Sequence, residues 1–263
     1  QSGLARAVSS FLGIKKDIYK YKVNKSDYVV KIENATNDWP YVVTAVVKGL
    51  TFTDEKIKEL IQIQEKLGAT FLRNRKKGGI GVYPLNKIKF PIRYTSELPE
   101  KIKFRPLEFS DVINATEILE KHPTGREYGN IVHGWKKIPI FIDANNKIMS
   151  MPPIINSHDI GKITEETSDV FLEATGTNFN TISFALNIIV TALADMGGKI
   201  YATKLVKNGK IIIIPDLEAK EFEFDVNYIN KILGLELNDK EIKNLLVKMG
   251  YGLGSKENVV FVP

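Results

Sequence analysis

Cysteine is absent from the 263 residues, which excludes disulfide frameworks, thiolate zinc sites and cysteine nucleophiles. Histidine is scarce: His122, His133 and His158 stand at no spacing that metal ligands use, so no metal is expected. The longest nearly apolar run, Ile182 to Ala194, is interrupted by Ser183, Asn187 and Thr191 and is too short for a bilayer. The start is not a basic segment leading into an apolar one with a small-residue cleavage site. A soluble, cytoplasmic protein with no membrane partner is therefore expected. Phosphate-binding glycine loops of the GxxxxGK and GxGxxG kinds are missing, as is the GxSxG elbow. ATP-dependent and metal-dependent chemistry is not expected of these residues.

The composition is that of an ordinary globular chain, with 43% hydrophobic and 26% charged residues, enough to bury a core without staples. The net charge of +6 is modest, and its placement says more. Between Arg73 and Arg105 lie Arg73, Arg75, Lys76, Lys77, Lys87, Lys89, Arg93, Lys101, Lys103 and Arg105 against Glu97 and Glu100, ten positive charges against two negative. Such a stretch suits a polyanion, and equally a solvated lysine-rich surface.

Periodicity and punctuation give the elements. A helix is expected from Gly3 to Leu12, strands at Tyr28–Ile32 and Tyr41–Val47, and a helix opened by Thr53 and ended by Gly68. Further strands are expected at Ile80–Tyr83, Ile138–Asp143, Ile148–Ser150 and Val170–Ala174. Ser110 is read as the cap of a helix carrying Val112, Ala115 and Leu119, and the stretch holding Pro123, Gly125, Gly129 and Gly134 as loop. The helix with the clearest apolar face runs from Thr181 to Met196. Strands at Lys199–Val206 and Lys210–Ile214 are joined by Asn208-Gly209, a hairpin signal. Strands and helices mix without strict βαβ repetition, so the fold class is α+β, a mixed sheet with flanking helices and the start of a second small module.

Three segments follow: 1–22 as a connector helix from a preceding domain, 23–215 as the main domain, and 216–263 as an acidic linker opening an incomplete module. That last segment carries two helical patterns, Val226–Leu233 and Asp239–Met249, and a strand-like run, Asn258–Val262. Gln1 beside a helix and Pro263 after a strand suggest a piece of a longer polypeptide.

Four stretches then carry a likeness: Tyr41-Val-Val-Thr-Ala-Val-Val-Lys-Gly49, Gln64-Glu-Lys-Leu-Gly-Ala-Thr-Phe-Leu-Arg-Asn-Arg75, Ser150-Met-Pro-Pro-Ile-Ile-Asn-Ser157 and Phe171-Leu-Glu-Ala-Thr-Gly-Thr177. Together they resemble the beta subunit of phenylalanyl-tRNA synthetase, archaeal and eukaryotic type. Gly3-Leu-Ala-Arg-Ala7 and the tail from Ile232 to Tyr251 extend the likeness over nearly the whole chain. The resemblance implies an aminoacyl-tRNA editing domain at 23–215, which hydrolyses tyrosine wrongly esterified to the phenylalanine tRNA. It also implies tRNA(Phe) and an alpha subunit as partners, in an α2β2 enzyme. ATP and magnesium would serve only the complete synthetase. A non-catalytic module that grips tRNA or the partner subunit through a vestigial pocket is the alternative.

The resemblance assigns Glu173 and Phe141 to substrate binding and Thr175 to catalysis. Ser150 and Asn156, flanking the stiff Pro152-Pro153, are assigned to substrate binding and to catalysis by positioning water or a carbonyl. A carboxylate at 173 can accept a phenolic proton, and the family usually carries aspartate there. On the residues alone, Glu173 reads as a strand-end acid, Thr175 as a turn residue, Asn156 as an Asx turn and Phe141 as core. Arg73, Arg75, Lys76 and Lys77 are expected to meet the tRNA backbone. Gly125, Tyr128 and His133 lie where a loop would cover the pocket, His133 being the best of three weak general-base candidates. The family's histidine- and aspartate-bearing stretch is replaced here by Gly81-Val-Tyr-Pro-Leu-Asn-Lys87, so no role of those residues carries over.

Overall fold

The computed structural model describes residues 2–15, 18–254, 256 and 258–262. They form two compact units, Val23–Asp216 and the chain ends Gln1–Lys22 with Leu217–Pro263. Helix α1 (Ser2–Phe11) belongs to the second unit. No helix among the described residues is long and apolar enough to cross a membrane. The architecture is α+β.

The larger unit is built on two sheets. The five-stranded one contains β1 (Val23–Asn24), β3 (Tyr41–Lys48), β4 (Gly78–Pro84), β11 (Val170–Gly176) and β12 (Lys199–Tyr201), in the order β1-β12-β3-β11-β4. The seven-stranded one contains β2 (Val29–Ile32), β5 (Ile92–Glu97), β8 (Ile138–Ile142), β9 (Ile148–Met151), β10 (Ile155–Asn156), β13 (Thr203–Lys207) and β14 (Lys210–Ile214). A two-stranded piece, β6 (Lys103–Phe104) with β7 (Ile113–Asn114), lies apart from both. Strand β11 is central, with all seven residues buried and β3 and β4 on either side, both antiparallel. That double burial explains its near-continuous apolar sequence, in which Glu173 and Thr175 are the exceptions.

The sheets face each other through polar as well as apolar contacts. Thr203 donates from Oγ1 to the Thr44 carbonyl at 3.0 Å, which leaves the Thr44 hydroxyl to donate to Thr203 Oγ1 at 2.7 Å. On the opposite face of the five-stranded sheet, α6 (Phe179–Asp195) buries Ile182, Ala185, Leu186, Ile189 and Leu193. Asn178 caps it by accepting from the Thr181 N–H at 2.9 Å. Helix α2 (Asp54–Ala69) starts at Thr53, whose hydroxyl accepts from the Lys56 N–H, and buries Leu60 and Leu67 beside β4.

Several expectations are corrected. The helix assigned to a Ser110 cap begins later: α3 (Ala115–Lys121) is capped by Asn114, whose side chain and Glu117 form a reciprocal capping box, and Val112 stays exposed. The stretch read as loop is largely helix α4 (Pro123–Val132), since Pro123 sits where no N–H is needed and His122 accepts from Thr124 N–H. Its Gly125 is required by packing, because a Cβ there would strike the backbone of Ile118. The single strand expected at 199–206 divides at Ala202, β12 joining one sheet and β13 the other. The short helix α5 (His158–Gly161) was not foreseen. The hairpin at Asn208-Gly209 forms with both residues at positive φ, 50° and 75°.

In the smaller unit, α7 (Val226–Leu233) and α8 (Asp239–Lys248) accompany a sheet of β15 (Lys220–Glu223), β16 (Gly252–Leu253) and β17 (Val259–Val262). Phe224, Ile242 and Val260 form its small core. The acidic stretch expected as linker thus contributes a strand, with Phe222 opposite Val260.

Gly176 and Gly78 are paired across β11 and β4, and a Cβ on Gly176 would stand 2.7 Å from Ile182 Cγ2 and 3.0 Å from Gly78 Cα. Overpacking of this kind costs about 1–3 kcal/mol. Gly176→Ala should therefore lower the unfolding free energy by at least that amount, read as a lower denaturant midpoint at unchanged m, and an unchanged midpoint would show that β4 and β11 are not so closely drawn together.

Candidate functional site

Strand alternation places Phe171, Glu173 and Thr175 on one face of β11, and their partners on β4 are Tyr83, Gly81 and Gly79 in turn. The glycines are spatial necessities. A Cβ at Gly81 would come within 2.5 Å of both Glu173 Oε1 and Tyr83 Oη, and one at Gly79 would meet Pro153 Cβ at 3.1 Å. The bare backbone of β4 thus makes room for a carboxyl group and a phenol between the sheets.

Glu173 is 2% exposed. Its Oε1 lies 3.2 Å from the Tyr83 hydroxyl, and its Oε2 has no hydrogen-bond partner. Burial drives the carboxyl pKa up to about 8, and the hydrogen bond from Tyr83 offsets only part of that rise. The fully buried Tyr83 hydroxyl is likewise pushed well above its ordinary range, by burial first and by the neighbouring Glu173 charge second. The same two causes raise the pKa of Tyr94, whose hydroxyl donates to the Trp39 carbonyl at 2.6 Å. Tyr83 also stands 3.2 Å from Asn156 Oδ1. At Ser150, on β9, a nearby hydroxyl eases the ionisation of Tyr83, yet Ser150 Oγ lacks a bond of good geometry, as does Thr175 Oγ1.

A cavity of about 460 Å³ opens beside this group, within the ordinary range for small-ligand sites. Its walls are mainly apolar: Ile57 and Leu60 from α2, Ile80 and Val82 from β4, and Pro153. Polar residues line it too, Asn156, Arg75 and Glu173 beside Gln64, Glu65, Glu108 and Lys162. The turn over it contains a cis Pro152-Pro153 bond and is held by Arg75, whose Nη1 donates to the carbonyls of Pro153 and Ile154 at 3.2 and 2.9 Å. The same guanidinium lies 4.1 Å from the Tyr128 ring centre, and burial lowers its pKa.

Arg75 reaches that place because Arg73, Asn74 and Arg75 all adopt left-handed φ, of 50°, 52° and 63°. Each such residue costs about 1–2 kcal/mol in an L-chain. Backbone bonds from Asn74 N–H to the Ala69 carbonyl and from Arg75 N–H to the Gly68 carbonyl hold the turn shut.

Of the residues singled out in the sequence, then, Glu173, Asn156 and Arg75 share one cavity. Ser150, Thr175 and Phe141 are buried but are not among its lining residues. Phe141 packs on Tyr94, ring centres 5.0 Å apart, and lies opposite Ser150 in the register. Arg73 and Lys76 are exposed and Lys77 half-buried. His133 is exposed at the end of α4; His122 contacts the Leu107 carbonyl and His158 accepts from the Glu108 N–H. None of the three histidines lines the cavity. Among the described residues no group of three or more His, Asp or Glu is placed to hold a metal. Tyr83 went unnoticed in the sequence, although two alternate glycines followed by a large aromatic on one strand face are a readable sign of something filling the gap.

No family model matches the chain. It is 43% identical over 250 residues to the phenylalanine–tRNA ligase beta subunit of Thermococcus sibiricus, covering 95% of this chain and 45% of that protein. The beta subunit of Pyrococcus horikoshii is 44% identical over 251 residues, with the same shares. The chain thus spans somewhat under half the length of these curated relatives. A crystal structure of an N-terminal fragment of the Pyrococcus horikoshii phenylalanyl-tRNA synthetase beta subunit superposes with a TM-score of 0.91 at 41% identity, over 99% of this chain and 76% of that one. By its sequence and by its fold, the chain belongs to the family of phenylalanine–tRNA ligase beta subunits.

Proposed function

We propose that the Val23–Asp216 unit is an editing hydrolase that cleaves the ester of tyrosyl-tRNA(Phe). The observation that carries this reading is the Glu173 carboxyl: buried, bordering an apolar cavity, with Oε2 unpartnered. A hydrophobic synthetic pocket rejects an analogue that merely adds a hydroxyl by only about a hundredfold. A second pocket that bonds the hydroxyl discriminates far better, because phenylalanine leaves its buried polar group unpaired. A phenol both donates and accepts, so tyrosine can satisfy Oε2 in either protonation state of the acid.

Hydrolysis of an aminoacyl ester asks little of the protein beyond position and charge stabilisation. Asn156 has the chemistry for it, its amide N–H₂ being able to donate to the ester carbonyl as negative charge develops. Neither a metal nor a histidine base enters the scheme. Thr175 and Ser150, each with an orphaned buried hydroxyl, stand behind the cavity wall and would add to the polarity around Glu173 and Tyr83. In the complete enzyme the partners would be tRNA(Phe) and an alpha subunit in an α2β2 assembly, in the cytoplasm, with ATP and magnesium used for synthesis elsewhere. Arg73 and Lys76 are the cations free to meet the tRNA backbone, whereas Arg75 holds the turn over the cavity.

The reading is tested by deacylation of tyrosyl-tRNA(Phe) against phenylalanyl-tRNA(Phe), with a chelator present. Selective, chelator-insensitive release of tyrosine is expected; equal release of both, or no release even by the complete ligase, would sink it. Glu173→Met, which keeps the volume and removes the polar atoms, should cut the preference for tyrosine about 10- to 100-fold. Charge reversal at Arg73 and Lys76 together should weaken tRNA binding and reduce its salt slope by about 1–2, and an unchanged slope would make them mere surface.

The acidity of Glu173 gives a further expectation. Its folded-state pKa of about 8 lies above the ordinary 4.5, so the native state binds the extra proton and stability falls as pH rises through that window. Glu173→Gln removes the titration. The variant should gain on the parent by up to about 1.4 kcal/mol per pH unit between pH 4.5 and 8, and the gap should then level off. Unfolding midpoints at pH 5, 7 and 9 check it; parallel curves would mean that Glu173 ionises like an exposed carboxyl.

A further inference from the structure

We infer that Tyr83 is a positioning residue of this site, fixing the Asn156 amide with its oxygen turned inward and its N–H₂ left for the ligand. The inference rests on the editing reading above for its reaction, and on geometry for its substance. The Tyr83 hydroxyl stands 3.2 Å from Asn156 Oδ1 and 3.2 Å from Glu173 Oε1, and it has one proton to give. Both neighbours cannot receive it together. With the carboxyl protonated at Oε1, Glu173 O–H donates to Tyr83 and Tyr83 donates to Asn156 Oδ1, which leaves Oε2 as the acceptor still without a partner.

The amide's orientation follows from that chain. Because Oδ1 accepts from Tyr83, Nδ2 is directed away, on the side where the absent Gly161 side chain leaves it room; a Cβ at Gly161 would sit 3.6 Å from Nδ2 and 2.8 Å from Asn156 Cβ. Asn156 and Gly161 both line the cavity, where an N–H₂ turned away from Tyr83 would serve a ligand as a donor pair. Tyr83 itself cannot drift. It is fully buried, packed 6.0 Å from the Phe171 ring, and confined by the same gap over Gly81 that admits Glu173. The titratable and polar groups around Glu173 are Tyr83 from β4, Tyr94 from β5, Ser150 from β9 and Thr44, its partner in the β3 register. Of these, only Tyr83 is bonded to both the acid and the amide.

A residue that only filled space would be replaced without loss by phenylalanine. For a positioning residue, Tyr83→Phe should lower kcat for tyrosyl-tRNA(Phe) hydrolysis about tenfold, the worth of one hydrogen bond, with KM little changed. In an Asn156→Ala background the same change should cost clearly less, since the group it orients is gone and only its contact with Glu173 is lost. An undiminished kcat in folded Tyr83→Phe, or an equal loss in both backgrounds, overturns the inference. A separate measurement frees the test from the reaction. In this chain the side-chain amide resonances of Asn156 should move in Tyr83→Phe; unmoved resonances overturn the positioning role. If they move while the parent hydrolyses neither ester, the editing reading fails and the positioning stands.

Discussion

A carboxyl group held between two β-sheets without a facing cation is the constraint around which the site is arranged. Glu173 lies at the middle of β11, a strand buried on both faces, and its desolvation is only partly offset by the phenol of Tyr83. Burying a polar group without a full set of partners costs about 1–3 kcal/mol on mutational scales, and native cores hold few such groups. Here three gather: Glu173 Oε2, Thr175 Oγ1 and Ser150 Oγ. Two of them are on adjacent same-face positions of one strand, and the third, from the other sheet, lies beside the Tyr83 hydroxyl. A core that only had to fold would have apolar residues at these positions. The concentration of unsatisfied polar atoms next to a cavity is better understood as stability given up for recognition.

The surroundings of that acid are fitted to it. Glycine at 79 and 81 leaves the strand face open, and Arg75 holds the turn from Pro153 to Ile154 that closes the cavity from above. Arg75 is in position only through three consecutive left-handed residues, a conformation stabilised by its own side-chain and backbone bonds. Strain of that kind persists where neighbouring structure over-determines it, commonly at ligand sites. The basic stretch therefore divides its labour. One arginine is committed to the wall of the cavity and to the Tyr128 ring, while Arg73 and Lys76 remain outside it as exposed charge. Net charge in the sequence could not separate these roles, because they differ in backbone conformation and not in residue type.

Local signals were legible where they were self-contained. The Asn208-Gly209 hairpin, the Thr53 start of α2 and the apolar face of α6 each depend on residues within a few positions of one another. The misreadings arose where a distant or competing partner decides. Asn114 outcompetes Ser110 because Glu117 completes its box, and Ala202 bends because its N–H is taken by Asn24, 178 positions earlier in the chain, while Thr203 pairs with Thr44. The glycines of α4 point to loop in the sequence, whereas Gly125 is there for close packing against Ile118. In the site, Glu173 enters through the family resemblance. On the residues alone it reads as a strand-end acid and Asn156 as an Asx turn, whereas the structure sets Glu173 in the middle of β11. Tyr83 emerges from neither, since its meaning lies in register: only when β4 is laid beside β11 does it stand over Glu173.

That register also suits a glutamate, and not an aspartate, at position 173. Shortening the side chain by one methylene would draw the carboxyl back by roughly one carbon–carbon bond, about 1.5 Å. From 3.2 Å, the bond to Tyr83 would be lost, and the phenol would be left buried with Asn156 alone. Conversely, the longer acid needs the space that Gly81 vacates, because any Cβ there would stand 2.5 Å from its Oε1. Glu173, Tyr83 and Gly81 are therefore one solution, in which the reach of the acid, the presence of a phenol and the absence of a side chain depend on each other. A change at any of the three acts on the other two, and so on the amide of Asn156 that meets the cavity.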